Sequence, residues 1–378
     1  MKAKKANIIL VLSISILFLF CSKRPSEPFE LIWEYKYKQP AEALSLGKAR
    51  PTVLRDQIII SPDGIISSIN MRKGSLIWEY ELKEGGYSSA EILLRDQNSV
   101  FIKDEKYSEA YRLSIQKGEL RWLLKAPENK EFQQFSNDGI DEKNIYLIGA
   151  QGEIFVYTKE GEFIKEIDVT TFEIETSARS IQLLNNNLFF SQRFRGDECP
   201  TNVCGRILSI EKETEEVIWE YVTDKGGYIF EPILLEDEII YAGVTDGPGE
   251  FVALNATNGK VIWKTLGIIG QSYTLTDSMV LVNGGVSLYA LDKFTGKELW
   301  NTGLAFGGGH GQSNIAYMNG FVYHAHSGRL YVLDGTNGEI VHTEERSPDG
   351  SPFQLLAVGD GKVFVQTFYA LYAYTAWE

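Results

Sequence analysis

Histidine and cysteine are scarce in this chain: four and three among 378 residues. Three cysteines exclude a small fold stapled by several disulfides, and four histidines leave little material for a multi-metal centre. Positive charge is also short, with 37 Lys and Arg against 51 Asp and Glu, giving a formal charge of −14. That balance excludes binding driven by neutralising nucleic-acid phosphates and sets up long-range repulsion from anionic headgroups. The G-x-S-x-G, H-E-x-x-H and P-loop signatures are missing, and no two cysteines are adjacent. Long apolar runs are absent too. The stretch Ile8 to Phe20 is broken only by Ser13 and Ser15 and falls short of the ~20 residues a spanning helix needs.

That short run has a different use. Lys2, Lys4 and Lys5 precede it and Cys21 follows at once. A positive start, an apolar core and a cleavage region make a signal peptide over residues 1–20. A Cys directly after the run resembles the bacterial lipoprotein signal, in which the Cys thiol is lipidated and becomes the new N-terminus. Phe20 departs from that pattern, which prefers a small residue there, so an ordinary signal peptide is the alternative. Ser22 after the Cys fits, by the same resemblance, delivery to the outer membrane. Residues 21–28 then form a linker, and the chain is anchored without spanning.

What the sequence has in quantity is glycine, 35 residues, and aromatics at 12%, a mixture suited to many strands and tight turns. They are periodic. Ala253-Leu254-Asn255-Ala256-Thr257-Asn258-Gly259-Lys260-Val261-Ile262-Trp263 and Ala290-Leu291-Asp292-Lys293-Phe294-Thr295-Gly296-Lys297-Glu298-Leu299-Trp300 share small–Leu–Asx, then a turn Gly, then Trp four residues on. Weaker copies end at Trp78, Trp122 and Trp219, the last with Glu215 in the Gly place. Two more carry Lys165 and His342 in the Trp place. The copies lie roughly 37 to 54 residues apart, the length of four short strands and their turns. The Asx closes the turn on its own backbone and the Gly supplies a positive φ. Each unit is a four-stranded meander that has to stack on its neighbours to bury both faces.

The two ends of the pattern fit each other. Strand-like runs at Val363-Phe364-Val365 and Leu371-Tyr372-Ala373-Tyr374 begin an eighth unit that stops at Glu378 without its outer strand. Leu31-Ile32-Trp33-Glu34-Tyr35 matches the outer strands around Trp78 and Trp219 but has no unit before it. The expected fold is all-β: residues 29–378 form a single eight-bladed β-propeller closed by the N-terminal strand. Seven blades with a terminal decoration is the alternative.

This repeat resembles the PQQ-like, or quinoprotein alcohol dehydrogenase-type, repeat. Within that group the chain is similar to the BamB family of outer-membrane assembly lipoproteins, which pair a lipidated Cys with one eight-bladed ring. The fold serves enzymes and scaffolds alike. The dehydrogenases of the group, as the resemblance implies, carry a bridged pair of adjacent cysteines under the quinone and large insertions, and neither feature is present here.

With the Gly-to-Trp motif as the turn between third and fourth strands, the other loops can be placed. Cys199 and Cys204 fall in the loop between the second and third strands of blade 4. They suggest a disulfide in an oxidising compartment. A redox pair would more usually be C-x-x-C, and zinc would need further ligands. His310 falls in the loop entering blade 7, and His324 and His326 at the end of that blade's second strand, pointing the same way. They form either a ligand site at the channel mouth or a set of hydrogen-bonded lining residues. Tyr87 and Tyr228 follow Gly-Gly pairs on the same face, as turn residues or as contacts.

The expected function is a non-enzymatic envelope lipoprotein, extracytoplasmic and, by resemblance, on the outer membrane facing the periplasm, with the cell surface as the alternative, binding envelope or outer-membrane proteins. No nucleic-acid partner, cofactor or metal is expected, and no catalytic residue is assigned. A small-ligand or metal-binding propeller using the channel mouth is the alternative, and a PQQ-dependent dehydrogenase a more distant one.

Overall fold

The computed structural model describes residues 29–38, 50–62, 64–83, 98–104, 106–133, 136–169, 177–195, 199, 201, 203–229, 231–245, 247–304 and 313–378. They form eight antiparallel sheets in a ring, seven of them four-stranded and one three-stranded. Strands within a blade are named A to D from axis to rim. Blade 1 is Thr52–Leu54, Gln57–Ile60, Ile65–Asn70 and Leu76–Glu81. Blade 2 shows strands B to D, Ser99–Asp104, Glu109–Ser114 and Leu120–Lys125. Its A position falls outside the described residues.

The ring closes as expected. Leu31–Lys36 pairs with Ala370–Thr375, with Trp33 opposite Ala373. It becomes strand D of blade 8, whose inner strands are Leu356–Gly359 and Lys362–Gln366. Phe29 adds to the closure by stacking on Tyr374, ring centroids 4.6 Å apart. Glu30 and Thr375 exchange backbone and hydroxyl hydrogen bonds.

The repeat motif proves to be a seam between blades rather than a feature of one blade. C–D turns cap themselves where an Asx opens them: Asn255 Oδ1 accepts from the amides of Thr257 and Asn258, and Asp292 Oδ1 from those of Phe294 and Thr295. Gly74, Gly118, Gly259 and Gly296 hold φ near +68°, where a Cβ is disfavoured. A second constraint acts on the same glycines. A Cβ on Gly74 would sit 2.6 Å from the Trp33 ring, and one on Gly118 2.5 Å from the Trp78 ring. In each case the Trp belongs to the preceding blade.

The indole also donates across the seam. Trp33 Nε1 reaches Met71 O at 3.2 Å, Trp78 reaches Ile115 O at 2.6 Å, and Trp122 reaches Lys159 O at 2.7 Å. Trp219, Trp263 and Trp300 do the same to Ala256, Lys293 and Gly335 at 2.9–3.0 Å. The acceptor is always the residue after the turn-capping position. The small residue of the motif is explained as well. Ser68, Ser209, Ala253 and Ala290 lie directly opposite Trp78, Trp219, Trp263 and Trp300 in the C–D pairs, leaving room for the ring to lie across the sheet. Burying such a ring and satisfying its N–H at once is what makes tryptophan effective at a sheet-on-sheet contact.

Two seams lack the indole. Between blades 3 and 4, Lys165 stands in the Trp place. Its Nζ donates to Lys212 O at 2.8 Å, the equivalent carbonyl, and pairs with Glu215 at 2.7 Å. Glu215 keeps the glycine-like φ of 64°. Between blades 7 and 8, His342 stands in the Trp place, with Phe29 and Trp377 each 5.3 Å from its ring. The core follows the seams. One apolar cluster, for example, joins Phe189, Ile207 and Trp219 of blade 4 to Ile240, Val252 and Leu254 of blade 5.

Candidate functional site

The D–A and B–C connections share one face of the ring, around the mouth of the axial channel. Inner strands of blades 1, 6, 7 and 8 line a cavity of about 400 Å³ there, with Thr52, Thr274, Ala316 and Ala357 among its walls. Arg50, just before strand A of blade 1, meets Glu231, just before strand A of blade 5, at 3.1 Å. In a ring of eight these blades are opposite, so the ion pair braces the mouth from side to side. No motif marked either residue, and 181 positions separate them, so only the closed ring makes the pair visible.

Blade 4 contributes the long B–C connection between Asn187–Phe194 and Cys204–Glu211. Cys199 and Cys204 form a disulfide with Cα atoms 5.7 Å apart. The stapled loop is tied to the next D–A connection, where Gly227 N donates to Val203 O at 3.1 Å. Tyr228 follows, exchanging two backbone hydrogen bonds with Thr245, and the Arg193 guanidinium lies 4.9 Å from its ring centre. The Cys pair and Tyr228, separate in the sequence reading, are thus one ordered corner of the mouth.

His324 and His326 end strand B of blade 7, Phe321–His326. Their rings are 5.9 Å apart, on the same side of the strand. His324 is fully buried one strand behind the channel wall, with Nδ1 3.1 Å from the carbonyl of Asn314. That acceptor assigns the proton to Nδ1. Burial pushes the His324 pKa down to about 4, against the smaller upward pull of the Asn314 bond. Burial lowers His326 as well. Both rings are therefore neutral at neutral pH, and His324 Nε2 and His326 Nδ1 have no hydrogen-bond partner among the described residues. Among those residues no three His, Cys, Asp or Glu come together as a metal set. His310, Tyr87 and Cys21 lie outside the described residues.

The rim offers a different kind of surface. Strand D of most blades turns a pair of apolar side chains to solvent: Leu76 and Ile77, Phe163 and Ile164, Val217 and Ile218, Val261 and Ile262. These are also the outer edges of the sheets, with backbone groups available for pairing. The rim thus combines exposed apolar side chains with open strand edges.

Comparison with known proteins agrees on the architecture. Residues 30–265 and 249–376 match the family model described as outer membrane protein assembly factor BamB. The crystal structure of BamB from Moraxella catarrhalis superimposes with a TM-score of 0.66 at 15% identity, covering 92% of this chain and 98% of that one. A quinohemoprotein alcohol dehydrogenase from Pseudomonas putida gives 0.67 at 12% identity, over 92% and 76% of the two chains. At such identities the likeness is one of fold. Among curated proteins, the quinoprotein alcohol dehydrogenase PedH of Pseudomonas putida is 24% identical over 226 residues. That match takes in 55% of this chain and 36% of the enzyme, so the chain spans about a third of the length of that relative.

Proposed function

We propose that this chain, which belongs to the family of the outer membrane protein assembly factor BamB, is a non-enzymatic envelope scaffold that docks onto other envelope proteins and takes part in outer-membrane protein assembly. The rim carries this reading: apolar pairs on successive outer strands, beside open sheet edges, form a surface suited to strand addition. The seams of indole and glycine make the disc rigid, so little ordering entropy is lost on docking. The anchor is Cys21, which holds the ring at the membrane through lipid. Absence of adjacent cysteines in the sequence supports a role without quinone chemistry.

The decisive experiment is affinity capture from detergent-solubilised envelopes with the full-length chain as bait. Co-purification of outer-membrane assembly proteins is expected, weakened by Ile77→Asp with Ile218→Asp on the rim. Recovery of no outer-membrane protein sinks the reading. Labelled palmitate should enter the wild type and not Cys21→Ala. Reconstitution with PQQ and Ca²⁺ should leave no quinone absorbance after desalting.

A further inference from the structure

The seam between blades 3 and 4 is open where its counterparts are filled. A cavity of about 1080 Å³ lies there, walled by Val156, Ile164 and Lys165 of blade 3 and by Leu183 and Lys212 on the blade 4 side. The position is that of the missing indole. Six other seams place a tryptophan ring at this point, over the turn of the following blade. Lys165 reproduces the hydrogen bond of the indole N–H to the equivalent carbonyl, and its pairing with Glu215 holds it there. A lysine chain supplies the donor but not the volume of the ring.

The seam between blades 7 and 8 shows what this fold does with such a space. There His342 replaces Trp, and Phe29 and Trp377 bring aromatic rings against it from the two ends of the described chain. At the 3–4 seam the aromatic residue in the cavity lining is Tyr146, whose hydroxyl donates to Asp141 and whose ring lies under Lys212, on strand B and away from the Trp place that Lys165 occupies.

We infer that the cleft between blades 3 and 4 binds an aromatic side chain presented on a peptide or amino-acid backbone. The ring enters the indole space between Val156, Ile164 and Leu183, with the Lys165 ammonium beside it as a cation–π partner. The mouth of the cleft selects what the ring hangs from. Asp141 is taken up by Lys212 at 3.0 Å and Glu215 by Lys165. Lys143, Lys159, Glu142 and Glu213 remain at the lining without an ion pair among the described residues, two of each sign. The amides of Asn144 and Asn185 stand with them. Equal numbers of opposite charges and side-chain amides complement a peptide main chain or a zwitterion, and select against a multiply charged anion. The site shares Ile164 with the rim, but binding of a small probe to the purified chain needs no envelope partner, so its failure and the failure of the assembly role are read separately.

The test is ligand-observed NMR on the full-length, detergent-solubilised chain with three probes: free L-tryptophan, N-acetyl-L-tryptophanamide and N-acetyl-L-leucinamide. Saturation transfer to ring protons of at least one tryptophan probe is expected, with a Kd on the order of a millimolar or tighter. Response to the free amino acid alone identifies a zwitterion site, and response to the capped amide identifies a peptide site. The double variant Lys165→Trp, Glu215→Gly fills the space with the consensus pair and should abolish the signal while raising the melting temperature. Ile164→Arg, on a solvent-facing position of the cleft wall, should weaken binding about tenfold without unfolding the ring. Equal binding of the leucine and tryptophan amides, equal binding by wild type and both variants, or no binding by wild type overturns the inference.

Discussion

Between blades 7 and 8 a histidine replaces the seam tryptophan, and Phe29 and Trp377 close around it. Between blades 3 and 4 a lysine replaces it, and a cavity of about 1080 Å³ remains. Both substitutions remove the indole, yet only His342 has two further aromatic rings against it. Both seams join blades that are consecutive in the chain, and closure itself is the pairing of Leu31–Lys36 with Ala370–Thr375 inside blade 8. What differs is the supply of rings: the closing blade brings Phe29 and Trp377, at the two ends of the described chain, against His342, whereas Lys165 is held by Lys212 O and Glu215. A position tolerates loss of packing where a replacement hydrogen bond and ion pair remain.

The most direct way to break this comparison is to remove an intact fastener. Trp263→Ala should cost about 3–5 kcal/mol, the range for deleting a buried aromatic, since its ring is nearly buried and its N–H bonded to Lys293 O. Urea unfolding reads the loss, and a cost below ~1 kcal/mol would show that the seams do not depend on the indole. Gly296→Ala should cost about 2–4 kcal/mol, combining positive-φ strain with overpacking, because its Cβ would overlap the Trp263 ring. Lys165→Trp alone should destabilise by about 1–3 kcal/mol, as Glu215 already places a Cβ where the other turns require glycine. Adding Glu215→Gly should reverse the sign. If Lys165→Trp and the double variant are both neutral, the correspondence between this seam and the other six is wrong.

The histidines allow a comparison inside the intact seam region. The pKa of His324 is near 4 in the folded chain and ordinary, about 6.5, when unfolded. The unfolded state therefore binds the extra proton first as pH falls. Stability from this group is fully present above about 6.5 and is lost as pH drops toward 4. By pH 5 the loss is about 2 kcal/mol. Chemical denaturation at pH 7 and pH 5 should show it in the wild type, and His324→Gln should flatten that part of the profile. An unchanged profile in the variant would assign the acid sensitivity elsewhere.

The ring was legible in the sequence because its signal is repeated: Gly and Trp at a fixed offset, with an orphan outer strand at Trp33 matching an unfinished unit at the other end. The departures at Lys165, Glu215 and His342 were visible as well. Their meaning was not, because the Gly and Trp of one motif touch different blades. Gly296 meets Trp263, one whole repeat upstream, and not its own Trp300. Pattern within a repeat cannot show contact between repeats. The Arg50–Glu231 brace was hidden for a similar reason, since its partners belong to opposite blades. The Cys199–Cys204 pair was the easy case, since close spacing and the expected oxidising compartment both favour a local bond.

The smallest effect makes the sharpest comparison. Gly361 has φ +66° and Gly296 has φ +68°, so the backbone demand on the two is nearly the same. A Cβ on Gly361 meets nothing within 4 Å, whereas one on Gly296 meets the Trp263 ring. Gly361→Ala should therefore report left-handed strain alone, about 1 kcal/mol. Subtracting it from Gly296→Ala leaves the cost of pushing a methyl into a seam. In the Trp263→Ala background the methyl meets only the Thr265 hydroxyl, 3.0 Å away, and Gly296→Ala should fall toward the Gly361 value. Coupling of about 1–3 kcal/mol in this cycle is the signature of direct contact. Additivity would mean that the recurring turn geometry, and not the indole stacked on it, is what these glycines serve.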